Sequence, residues 1–81
     1  MNATREEISS LKGVIDAERC FRLDYPYYQN IAPSIVMSSD WFNAYREGFE
    51  GISSSNSSRH SRFRSHYERG KEVRKIIFGN N

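Results

Sequence analysis

The chain has 81 residues, enough for one small domain and no more. Only 37% of them are hydrophobic, but eleven are aromatic, so buried area must come from a few large rings. The single cysteine, Cys20, excludes an intrachain disulfide and points to a reducing cytoplasm, and no apolar run approaches the roughly 20 residues a membrane span needs.

The net charge of +2 is unevenly placed. Residues 1–56 carry five Lys/Arg and eight Asp/Glu, a balance of −3, whereas residues 57–81 carry seven and two, a balance of +5. Such a split suits a C-terminal third that meets an anionic partner; it equally suits two halves that attract each other, or a solvated helix face.

The polar, acidic start is unlike a secretory signal. Thr4 and Glu7 have the spacing of a capping box, and Ile8, Leu11, Val14 and Ile15 follow at helical intervals, with Phe21 extending the stripe. A first helix is expected over about residues 5–22. Residues 23–37 read as an irregular connection, because Pro26 and Pro33 each bias the preceding residue away from helix; a short turn over 27–32 is compatible with that. Tyr25, Tyr27 and Tyr28 cluster beside the first proline, either as core rings or as a protein-binding surface.

Ser38, Ser39 or Asp40 caps a second helix, expected over about 40–51 with Trp41, Tyr45, Gly48, Phe49 and Ile52 on one face and Gly51 at its end. Residues 53–58 are serines and one asparagine, the composition of a flexible linker. A third helix over about 61–78 carries Phe63, Tyr67, Gly70, Val73, Ile76 and Ile77 and stops at Gly79.

The second and third helices repeat one pattern at a distance of 22 residues: Trp41, Tyr45, Gly48 and Glu50 are answered by Phe63, Tyr67, Gly70 and Glu72. At those offsets the rings and the glycine share a face. A glycine inside a helix costs about 1 kcal/mol against alanine, so two at matched positions imply a close approach of two helices. The expected fold is therefore all-α: a small three-helix domain, with helices two and three in an antiparallel hairpin held at Gly48 and Gly70 and the N-terminal helix packed across it.

Catalytic chemistry is not expected. His60 and His66 lie six apart with no neighbouring cysteine, which is not a zinc spacing, and the serines sit in caps and linker without a nucleophile elbow. Asp16 and Glu18 lie on a solvated helix, and there is no phosphate-cradling glycine loop. No cofactor, metal, membrane or small-molecule substrate is implied. What the sequence does offer is a row of cations, Arg59, Arg62, Arg64, Arg69, Lys71, Arg74 and Lys75, interleaved with aromatics from residue 59 to 67. Guanidinium groups pair with phosphates and stack on bases, and rings offer faces to unpaired nucleotides. Phe63 and Tyr67 cannot both be buried in the hairpin and stack on bases, so the rings are expected to be structural and the arginines to do the binding. An acidic protein surface would suit the same cations.

Ala44-Tyr45-Arg46-Glu47-Gly48-Phe49-Glu50-Gly51, followed by Tyr67-Glu68-Arg69-Gly70, resembles the ribosome modulation factor family and its small phage- and plasmid-borne relatives. Members look like Ala-aromatic-x-x-Gly-aromatic-x-x-Gly, a short loop, then an aromatic-x-x-Gly helix. The resemblance covers roughly residues 41–78. Gly51 falls one position early, the loop carries serines and arginines instead of a Pro-Tyr element, and Tyr67 and Lys71 stand where tryptophans are common. The resemblance implies two short helices and binding to ribosomal RNA. The function expected is thus a non-enzymatic, RNA- or ribosome-associated modulator. The alternative is a phage- or mobile-element-type inhibitor whose acidic half, with Glu6, Glu7, Asp16, Glu18 and Asp24, mimics phosphates against a host or defence nucleoprotein.

Overall fold

The computed structural model describes residues 3–9, 17–51 and 61–78. Every regular element among them is helical: α1 (Arg5–Ser9), α2 (Ala17–Asp24), a 3-10 turn (Pro26–Tyr28), α3 (Pro33–Met37), α4 (Asp40–Glu50) and α5 (Ser61–Phe78). None of these helices is long and apolar enough to cross a membrane. The middle of the expected first helix and the serine-rich stretch 53–58 lie outside the described residues.

Local chemistry accounts for the helix ends. The Thr4 N–H donates to Glu7 Oε1 at 2.8 Å and the Glu7 N–H to Thr4 Oγ1 at 3.1 Å, which is the reciprocal capping box. Ser39 caps α4 by accepting from the Phe42 N–H at 3.3 Å, and Asp40 occupies the first turn, where the helix dipole favours a carboxylate. Gly51 ends α4 in the left-handed conformation at φ 75°. The connection expected to be irregular contains α3 because Pro33 sits in its first turn, where a missing N–H costs nothing. The backbone before it is gathered by Arg22, whose guanidinium donates to the carbonyls of Tyr28 (2.7 Å), Gln29 (3.2 Å) and Ile31 (3.0 Å) while pairing with Glu18 at 3.0 Å.

The core is Ile8, Cys20, Phe21, Val36, Phe42, Tyr45, Phe49, Val73 and Ile77. Phe21 is its hub: the rings of Tyr25, Tyr28, Phe42 and Tyr45 stand 5.0–5.3 Å from it. Tilted and edge-on pairs of this kind add about 0.5–1.5 kcal/mol each beyond area burial.

Helices α4 and α5 meet backbone to backbone. A Cβ at Gly48 would be driven into the Tyr67 carbonyl oxygen and reach 3.0 Å from the Lys71 nitrogen; one at Gly70 would strike the Tyr45 carbonyl oxygen and reach 2.9 Å from the Phe49 nitrogen. Each glycine thus points a Cα hydrogen at a carbonyl of the other helix, contacts worth about 0.5–1 kcal/mol apiece.

The direction of the pair corrects the expectation of an antiparallel hairpin. Trp41 stacks on Phe63, Gly48 abuts Tyr67 and Lys71, and Gly51 lies beside the Arg74 side chain. Contacts advance together along both helices, so α4 and α5 run in the same sense. An antiparallel pair presupposes a short loop. Here nine residues separate Gly51 from Ser61, a reach of up to about 30 Å, ample to return along the roughly 16 Å of α4. Of the N-terminal helices, α1 lies against α5 and α2 against α4.

Candidate nucleic-acid interface

The seven cations singled out in the sequence divide by position. Arg59 lies outside the described residues. Arg62, Arg64, Lys71 and Lys75 are exposed on α5. Arg64, Lys71 and Lys75 share its outer face by helical spacing, with Glu68 between them, 3.7 Å from Arg64 and 4.0 Å from Lys71. Lys71 also lies 5.6 Å from the centre of the half-buried Tyr67 ring.

Arg69 and Arg74 are engaged within the fold. Arg69 forms a two-pronged pair with Asp24, Nη2 to Oδ1 at 2.8 Å and Nε to Oδ2 at 2.9 Å, and adds Glu72 and the Ala3 carbonyl. Asp24 is fully buried and also accepts from the Tyr45 hydroxyl at 3.0 Å and the Ala3 N–H at 3.1 Å. The carboxylate therefore ties α2, α4, α5 and the N-terminal segment together. Hydrogen bonding to Asp24 raises the Arg69 pKa further, and burial followed by the Asp24 charge pushes the Tyr45 phenol far up, so neither group titrates in the physiological range. Arg74 donates to the Phe49 carbonyl at 2.9 Å, closing the C-terminus of α4, and lies over the Phe78 ring.

The first turns of α5 build a different feature. Arg62, Phe63 and His66 face Tyr28 from the 3-10 turn and Trp41 from the first turn of α4, enclosing a cleft of about 230 Å³. The Trp41 and Phe63 rings are nearly parallel, 15° apart with centroids at 5.9 Å. Tyr28 stands 6.4 Å from Trp41, and the Arg62 guanidinium lies 5.8 Å from the Phe63 ring centre. His66 leans on Tyr25 at 5.1 Å. Two polar atoms of these lining residues, Trp41 Nε1 and His66 Nδ1, are buried without a hydrogen-bond partner. Burial lowers the His66 pKa, which keeps the ring neutral at pH 7.

Of the tyrosine cluster, Tyr25 and Tyr28 pack on Phe21, while Tyr27 is 80% exposed and turns its edge to Tyr28. Among the residues placed on the helix pair, Trp41 and Phe63 line the cleft, Tyr45 is core, and Gly48 and Gly70 form the crossing. The sequence set His66 within the basic, aromatic segment 59–67 and against a zinc spacing, and did not mark its place in the cleft. Its signal was the spacing to Gly70 and Val73, four and seven residues on, which puts it on the buried side of α5.

Comparison with protein-family models, curated proteins and solved structures finds no match to this chain.

Proposed function

We propose that the chain is a non-enzymatic RNA-binding protein that associates with the ribosome or another nucleoprotein and modulates it. The α4–α5 pair acts as the rigid frame, with the N-terminal helices packed across it. The observation that carries this reading is the junction of charge and rings on one helix. The first turn of α5 offers Arg62 beside an aromatic cleft, and its outer face continues with Arg64, Lys71 and Lys75. Cations that neutralise phosphates, next to rings that receive bases, are what single-stranded RNA requires. Arg69 and Arg74 contribute by holding the frame.

The test is fluorescence anisotropy of labelled single-stranded RNA as salt is raised. Three or four phosphate contacts predict a log–log slope of about −2 to −3. Reversing Arg64, Lys71 and Lys75 to glutamate abolishes the binding. Salt-insensitive RNA binding, or full binding by the reversed variant, refutes the reading. A pull-down from lysate with and without RNase then identifies the particle.

One observation favours the rival reading, a phage- or mobile-element-type inhibitor that binds a protein: Tyr27, Ile35 and Met37 are exposed apolar side chains on the segment before α4. Its acidic surface is thinner than the sequence implied, because Asp24 is buried and Glu18 is held by Arg22. Recovery of one RNase-resistant protein complex, lost on Tyr27→Glu, would decide for it.

A further inference from the structure

The cleft at the start of α5 is built from three separate elements yet leaves two buried polar atoms unserved. Inside a small core each such group costs about 1–3 kcal/mol, and most buried polar atoms in folded proteins have a partner. Trp41 Nε1 offers a donor, and a neutral His66 ring has one nitrogen that accepts. Around them are the faces of Trp41, Phe63 and Tyr28, and at the edge the exposed Arg62. The wall therefore combines flat apolar faces and one cation, with a donor and an unpartnered ring nitrogen covered beneath them. At about 230 Å³ the space falls below the roughly 300–1,000 Å³ of pockets for drug-sized ligands, and suits a single planar heterocycle.

From this arrangement we infer that the cleft receives one unpaired base of a single-stranded RNA, stacked against Trp41 and Phe63, with the adjoining phosphate on Arg62. The inference rests on the RNA-binding reading and gives it a site. Ordinary cations on a helix read only phosphates; this cleft reads the presence of a base. The polar edge of the base meets Trp41 Nε1 and His66 as the Trp41–Phe63 pair parts to admit it. A base held in a duplex has no free face to present, so double-stranded RNA is excluded from the cleft.

Trp41 is the only tryptophan in the chain, so under folding conditions its emission has a single source, at the cleft. The full chain is titrated with short oligoadenylate and with an abasic ribose-phosphate chain of equal length. Anisotropy of a label on each RNA measures binding, and tryptophan emission measures stacking. Oligoadenylate is expected to bind about tenfold tighter than the abasic chain, since stacking contributes about 1–3 kcal/mol per base, and to quench Trp41; the abasic chain binds without quenching. Phe63→Leu removes the tenfold preference, bringing oligoadenylate down toward the affinity of the abasic chain. Because that variant also strips the ring packed on Trp41, His66→Leu is measured beside it, with circular dichroism to verify folding, and the same loss of preference is expected. Equal affinity for the two chains with unchanged emission overturns the base site while leaving RNA binding by the cations standing. Binding of neither chain overturns the RNA reading and the base site together.

Discussion

Gly48→Ala sets two effects of opposite sign against each other. In an isolated helix the change stabilises by about 1 kcal/mol. In this fold the new methyl group meets the Tyr67 carbonyl, which is backbone and cannot rotate aside. The helices must separate, by about 1 Å or more. That opening removes the Cα–H···O contact, about 0.5–1 kcal/mol, and forfeits a quarter to a half of the dispersion at each contact along the seam. Overpacking of this kind costs about 1–3 kcal/mol even where side chains yield. With Tyr45, Phe49 and Val73 all on or beside the seam, the net destabilisation is about 2–4 kcal/mol, a large part of the 4–12 kcal/mol expected for a domain this size. Urea unfolding followed by Trp41 emission and by circular dichroism reads it directly, and the melting temperature is expected to fall by about 10–25 °C. Gly70→Ala behaves alike, and the double variant costs at least 1 kcal/mol less than the sum, because helices already parted meet the second methyl more easily. An alanine variant as stable as the parent refutes the backbone crossing.

Arg69→Leu strands a buried Asp24 and costs about 3–5 kcal/mol in urea unfolding; Tyr45→Phe, which removes one hydroxyl donor to Asp24, costs about 1 kcal/mol. His66 has a folded pKa below its unfolded value near 6.5, so its contribution is complete above that value and is lost as pH falls below it. The parent therefore loses stability as pH falls below about 6.5 in a component absent from His66→Leu, as melting curves taken at falling pH will read. Arg22→Ala removes a charged donor from three carbonyls at once and is expected to cost about 2 kcal/mol, with amide exchange rising first in residues 26–32.

Signals confined to a few neighbouring residues were legible in the sequence: the Thr4–Glu7 box, the serine cap before Asp40, the Gly51 stop and the close approach marked by Gly48 and Gly70. Each is decided by sterics or hydrogen bonds within one turn, or by the absence of a side chain. The direction of α5 was not legible, because it depends on how far a polar connector reaches, and composition does not fix a path. Nor was the interior ion pair. Asp24 and Arg69 are 45 residues apart, and each looked like a member of a surface charge row. Arg69 did carry a clue, since Val73 and Ile76 follow it at the four- and seven-residue spacing of a buried stripe. The cleft was least legible of all, for its five walls come from the 3-10 turn, α4 and α5 and have no shared sequence pattern.

The reciprocal glycine contacts also describe a symmetry. Gly48 rests on residues 67 and 71, and Gly70 on residues 45 and 49, so adding or subtracting 22 exchanges one contact for the other. That is the rule of a two-fold homodimer interface, written within a single chain. A face that complements its own repeat cannot by itself tell the helix on the same molecule from the copy on a neighbour. A preference for the internal partner would come from tethering, which raises the effective concentration of the two faces, and from positions where the repeats differ, such as Phe49 against Lys71. The number of residues between the two helices would then bear on the choice between a self-paired chain and a pair of chains.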